Sequence, residues 1–166
     1  MTRNASLTQL ASQLGEALKT RQMRLMSAES CTGGWIAKAA TDVAGSSDWF
    51  EGGVVTYSNE LKQQLLGVDL ELIQSEGAVS ESVVLSMASG AAALGRCDAA
   101  VSVSGVAGPG GGTPDKPVGT VWFGFFLRHR CWAVRQQFEG NREEVRQASV
   151  RFSLDHVLQA LTATED

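Results

Sequence analysis

The sequence predicts an α/β protein: a three-layer α/β/α sandwich around a mixed sheet with one antiparallel hairpin. Three observations carry that expectation. Strand-like apolar runs alternate along the chain with segments whose apolar residues recur at helical spacing. Two strand-like runs, residues 118–127 and 131–138, are separated only by Arg128, His129 and Arg130, a link so short that it forces an antiparallel pair. No repeat, low-complexity stretch or linker divides the 166 residues, so 1–166 reads as one domain with one sizeable core.

Taken in order, Leu7, Leu10, Ala11, Leu14 and Leu18 mark an opening amphipathic helix. Residues 24–28 form a short strand, and residues 33–40 a helix with Thr32 as its N-cap. A second strand spans 52–57, followed by a helix capped by Asn59. Ser80 caps a longer helix reaching Leu94, with Val84, Ala88, Ala91 and Leu94 on one face. Residues 97–104 make a small-residue strand that enters a glycine-rich loop. After the hairpin, Asn141 opens the last helix. Glu144 three residues on completes a capping-box pattern, and Val150, Leu154, Val157, Leu158 and Leu161 supply the buried stripe.

Composition narrows the function. A net charge of −4 and a pI near 5.2 argue against a nucleic-acid binder. The one dense basic spot, Arg128-His129-Arg130, reads as a solvated hairpin turn. Met1-Thr2-Arg3-Asn4 leads into an amphipathic segment and not a secretory leader, and the longest apolar run, residues 121–127, is too short for a bilayer. Cys31, Cys97 and Cys131 are scattered without CxxC spacing, which suggests free thiols in a reducing cytoplasm and neither a disulfide framework nor a metal site. No cofactor is implied.

Two blocks bear the chemistry. Ala28-Glu29-Ser30-Cys31-Thr32-Gly33-Gly34 and Val55-Thr56-Tyr57-Ser58-Asn59-Glu60-Leu61-Lys62 each read as strand, turn and helix. The first sets Ser30 beside a helix N-terminus, where N–H groups around residues 31–34 favour negative charge. By itself it leaves open whether Ser30 is a cap or a nucleophile. Cys31 is the rival nucleophile, but His129 and His156 lie in a turn and a terminal helix, so a packed thiol is the plainer reading. With Asn59 as cap, Lys62 falls in the first helical turn, where the dipole and burial would both favour a neutral amine able to act as base, although the segment taken alone fits an exposed surface lysine better. Tyr57, the only tyrosine, could bridge Ser30 and Lys62 through its hydroxyl, the competing reading being a tyrosine at the sheet edge with its hydroxyl in water. A second glycine-rich stretch, residues 104–113, follows a strand where α/β sheets carry ligand loops, and Arg142 is a possible phosphate partner.

These blocks, with Gly77-Ala78-Val79-Ser80 and the run from Ser104 through Gly112 into Lys116-Pro117-Val118-Gly119-Thr120-Val121, closely resemble the CinA C-terminal domain family, in order and over nearly the whole chain. The family's characterised members are nicotinamide-nucleotide amidases. They convert nicotinamide mononucleotide to nicotinate mononucleotide and ammonia in pyridine nucleotide salvage. The resemblance implies a Ser-Tyr-Lys arrangement of Ser30 as nucleophile with Tyr57 and Lys62. It also implies a pocket built from Cys31, Thr32, Gly33 and Gly34 of one loop and Ser104, Gly105, Gly108, Gly110 and Gly111 of the other. It further implies a homo-oligomer of the stand-alone form. Where many members read Gly-Asp-Arg, this chain has Gly140-Asn141-Arg142, and a silent nucleotide-binding paralogue is the alternative.

Overall fold

The computed structural model describes residues 5–163. Met1-Thr2-Arg3-Asn4, part of the expectation of a leaderless start, lies outside the described residues. Helix α1 (Leu7–Thr20) opens on a capping box between Ser6 and Gln9. Strand β1 (Leu25–Glu29), helix α2 (Trp35–Thr41) and strand β2 (Phe50–Val55) follow, then helices α3 (Asn59–Leu66), α4 (Leu70–Glu76) and α5 (Glu81–Gly95). Strands β3 (Ala99–Gly105), β4 (Thr120–Leu127) and β5 (Arg130–Gln137) lead to helix α6 (Arg142–Ala163).

The five strands form one sheet in the order β2-β1-β3-β4-β5. β1 runs parallel to both β2 and β3, while β4 pairs antiparallel with β3 and with β5. The predicted mixed sheet and hairpin are both present, and the sheet is covered on two faces. Leu10, Leu14, Ile36, Val150 and Leu154 from α1, α2 and α6 pack on Val101, Val103, Phe123 and Phe125. On the other side, Leu66, Ile73, Val84, Met87 and Ala91 from α3, α4 and α5 pack on Met26, Ala28 and Ala100. Residues alternate in β3 and β4 between the two cores, as the two-residue period of a strand buried on both faces requires. At Gly124 a Cβ would collide with the Val84 carbonyl oxygen, so the missing side chain lets α5 lie against β4.

Several local expectations shift. α3 is capped by Ser58, whose Oγ accepts from Leu61 N at 3.1 Å, and not by Asn59. Thr32 is no cap, because Gly33 and Gly34 take left-handed φ values of +61° and +101° and delay α2 until Trp35. Leu94 is 48% exposed, and Arg130 belongs to β5, leaving a two-residue hairpin turn with Arg128 at φ +59°. Helix α4, unforeseen in the sequence, is held by Asp69 at its start and stopped at Gly77. Asn141 and Glu144 do form the expected reciprocal pair, at 3.1 and 2.9 Å. Among the described residues, no helix is long and apolar enough to cross a membrane.

Candidate active site

The parallel strands β2, β1 and β3 all end at one edge of the sheet. The helix after β1 lies on one face, and the helices after β2 lie on the other. The chain therefore switches faces between β1 and β2, which opens a crevice at their carboxyl ends. Ser30 leaves β1 there, Tyr57 and Lys62 follow β2, and Ser104 and Gly105 end β3. The crevice is a cavity of about 250 Å³, bounded by Ser30, Cys31, Tyr57, Asn59, Lys62, Ala78, Val79, Ser104, Gly105, Ala107 and Arg142.

Lys62 is 1% exposed. Its Nζ lies 3.1 Å from Ser30 Oγ, 2.8 Å from the Thr56 carbonyl and 3.1 Å from the Tyr57 carbonyl. No ion pair reaches it among the described residues. Desolvation holds its pKa below the ordinary lysine value. The three contacts suit both protonation states. A neutral amine gives its two hydrogens to the carbonyls and turns its lone pair to the serine hydroxyl; an ammonium donates to all three. A proton can thus pass between Ser30 and Lys62 with no rearrangement of the surrounding groups.

Ser30 sits in a tightly held turn. Its N–H donates to the Val103 carbonyl at 3.0 Å, and its carbonyl accepts from Gly33 N at 3.1 Å. Among the described residues, the N–H groups of Cys31 and Thr32 make no hydrogen bond to another residue's backbone, so they stand beside Ser30 as available donors. Glu29 anchors this turn and escaped the sequence reading. Fully buried at the end of β1, its carboxylate accepts from Thr32 Oγ1 at 2.6 Å, Ile36 N at 2.8 Å and Ala37 N at 3.0 Å. It thereby satisfies the start of α2 in place of an ordinary cap. A glutamate ending a run of small and apolar residues is the only signal the sequence offers for it.

Burial pushes the Cys31 thiol up to about 12, so it is an inert wall of the cavity and not a rival nucleophile. His156 is occupied far from the crevice, accepting from Trp132 Nε1 at 3.0 Å. Tyr57 requires a correction: its side chain is 61% exposed, and its main-chain carbonyl, not its hydroxyl, touches Lys62. The direct Ser30–Lys62 contact leaves the hydroxyl nothing to bridge. Tyr57 instead borders the cavity as a largely exposed residue.

The two loops are brought together only in part. Thr32, Gly33 and Gly34 border a neighbouring groove with Trp35, Lys38 and Arg146. Gly108, Gly110 and Gly111 stand back from the cavity, because the loop presents Ala107 there. Arg142 does border it, and its Nη1 donates to the Gly108 carbonyl at 2.8 Å. Ala78 and Val79, quoted in the sequence for their likeness only, are walls. Among the described residues, no group of three or more His, Cys, Asp or Glu could hold a metal ion.

Residues 7–161 match the CinA C-terminal domain family. The chain is 51% identical over 157 residues to the nicotinamide-nucleotide amidohydrolase PncC of Escherichia coli (strain K12), covering 94% of this chain and 95% of that one. It is 52% identical over 153 residues to the protein of the same name from Pseudomonas putida, covering 92% and 96%. Its fold superposes with a TM-score of 0.92 on the crystal structure of a CinA superfamily protein from Klebsiella pneumoniae 700603, at 37% identity, over 95% of this chain and 99% of that one.

Proposed function

We propose that this chain, which belongs to the CinA C-terminal domain family, hydrolyses the carboxamide of nicotinamide mononucleotide, with Ser30 as nucleophile and Lys62 as general base. The substrate follows from relatives bearing the name nicotinamide-nucleotide amidohydrolase along almost their whole length. The observation that carries the chemistry is the buried Lys62 amine, without an ion pair among the described residues and 3.1 Å from Ser30 Oγ.

In the first half-reaction the Ser30 proton passes to Lys62 as Oγ bonds to the carboxamide carbon. The carbonyl π-electrons move onto oxygen, and the Cys31 and Thr32 N–H groups receive that charge. The intermediate collapses, the C–N bond breaks, and Lys62 returns the proton to the departing nitrogen, which leaves as ammonia. In the second half, Lys62 takes a proton from water as its oxygen attacks the ester. The C–Oγ bond then breaks and Lys62 reprotonates Ser30, so one water is consumed per turnover.

The substrate ring is a pyridinium, and its positive charge makes the attached carbonyl more electrophilic. That same charge repels an ammonium, so a lysine already inclined to neutrality suits this ring. Tyr57 supports the binding step instead of the proton path, since as a largely exposed residue bordering the cavity it offers a π-face to a cation. Arg142 keeps further donors beyond the one given to Gly108 for the 5′-phosphate.

The test is ammonia release from nicotinamide mononucleotide and from nicotinamide riboside, which lacks the phosphate. Nicotinamide mononucleotide turns over, whereas removing the phosphate lowers kcat/KM by about 10–100-fold, as expected for a charge-assisted contact. Saturable nucleotide binding without ammonia eliminates the amidase and leaves a silent binding module. The reading extends to a cytoplasmic homo-oligomer. Three cysteines that form no disulfide support the compartment, and the exposed Val55 and Leu65 support the assembly. Light scattering then finds a mass above 17.6 kDa, and a monomer overturns the assembly.

A further inference from the structure

We propose that Arg146 is a positioning residue that locks the nucleophile turn so that the Cys31 and Thr32 N–H groups face the oxyanion. This rests on the reading of Ser30 as nucleophile. Arg146 lies on α6, more than a hundred residues from that turn in sequence. Its Nε donates to the Cys31 carbonyl at 3.0 Å and its Nη2 to the Thr32 carbonyl at 3.2 Å. Two donors of one rigid fork therefore fix two successive peptide planes, those that carry the Thr32 and Gly33 N–H groups; the Gly33 N–H donates to the Ser30 carbonyl at 3.1 Å, which in turn orients the Cys31 N–H of that same peptide.

A trans peptide directs its N–H opposite to its C=O. With the Cys31 carbonyl drawn toward Arg146, the Thr32 N–H in the same plane points the other way, off the groove that Arg146 occupies. A cation on the carbonyl end of a peptide also polarises it, which strengthens its N–H as a donor. Gly33 makes the approach possible, since even a Cβ there would stand 3.3 Å from Nη2. The guanidinium is held over the Trp35 ring, 5.6 Å from its centroid, so its orientation is fixed from a second side.

Arg142, one helical turn earlier on the same face of α6, grips the Gly108 carbonyl of the second loop. The first turns of one helix thus hold both loops that meet at the crevice. Glu29 completes the clasp, taking the Thr32 hydroxyl while Arg146 takes the Thr32 carbonyl.

The experiment compares Arg146→Ala, Arg146→Lys and Ser30→Ala in the full chain, by ammonia release from nicotinamide mononucleotide across a range of pH. Arg146→Ala is expected to lose on the order of 100-fold in kcat with KM changed by less than about threefold, the pattern of a donor lost only from the transition state. Arg146 bonds the Cys31 and Thr32 carbonyls, while Lys62 bonds Ser30 and the Thr56 and Tyr57 carbonyls, so the surroundings of the amine are kept and the midpoint of the pH profile stays where it was. Merely loosening the site would hydrate Lys62 and move that midpoint. Methylguanidine added to Arg146→Ala restores part of the rate, and Arg146→Lys, with one point donor in place of the fork, falls between Ala and wild type. If Arg146→Ala does not fold, Arg146→Lys carries the same comparison of kcat, KM and midpoint. A kcat within about threefold of wild type, a loss confined to KM, a displaced midpoint or an absence of rescue overturns the proposal. Turnover by Ser30→Ala overturns instead the reading beneath it, whatever Arg146 does.

Discussion

Replacing Lys62 with methionine lowers ammonia release by at least about 10³-fold, the scale of a lost general base, and leaves the protein folded. Methionine has a comparable reach and fills irregular gaps, so the buried space stays occupied. Two opposing effects set its stability. The Thr56 and Tyr57 carbonyls lose a donor, which costs about 1–3 kcal/mol each if they stay dry. Against that, the folded protein no longer has to desolvate an amine or strip it of its proton. The two effects are separated by pH. Because burial lowers the folded-state pKa of Lys62, between that value and its ordinary 10.5 the unfolded chain holds a proton that the native protein does not. Wild-type stability therefore rises with pH through that window, and Lys62→Met lacks this contribution. Urea unfolding of both proteins at neutral pH and near pH 10 reads the difference. A gap between them that does not change with pH shows that Lys62 titrates as an ordinary surface lysine, and the proposed base is lost.

The same amine explains why so much of the site was legible. A lysine within the first turn of a helix, directly after an apolar strand, is out of place for a surface cation. Its position survives the change of cap from Asn59 to Ser58, since Lys62 is then the fourth helical residue instead of the third. The sheet was legible for a related reason: the link between β4 and β5 allows a single topology, and the alternating burial of β3 fits a strand with two covered faces. What the sequence concealed depends on contacts that carry no local period. Glu29 acts on main-chain N–H groups seven and eight residues away, and Arg146 on carbonyls 114 and 115 residues away. Thr32 looked like a cap because glycine pairs give no sign of which backbone region they will occupy. The Tyr57 side chain was misplaced because it leaves the end of β2, where the turn and not the strand alternation decides its direction. Local chemistry could name Ser30 and Lys62, which the fold brings to 3.1 Å, but the groups that hold them in place could only be found once the chain was folded.

Ser30→Ala loses ammonia release by about 10⁴-fold or more, because it removes the hydroxyl oxygen that is hydrogen-bonded to Lys62 Nζ. The buried Cys31 thiol, pushed up to about 12, cannot supply it. The variant keeps the bonds that shape the turn, since Ser30 N to Val103 and Gly33 N to the Ser30 carbonyl are main-chain contacts. Nucleotide affinity, measured by calorimetry, is accordingly retained within about threefold, and the loss falls on kcat. A second measurement separates covalent catalysis from direct attack by a Lys62-activated water. Hydroxylamine competes with water for an acyl-enzyme, so wild type yields a hydroxamate of the nucleotide alongside the acid, while Ser30→Ala yields neither. If the variant still releases ammonia at more than about 1% of the wild-type rate, and wild type forms no hydroxamate, Lys62 activates water and Ser30 serves only to orient it.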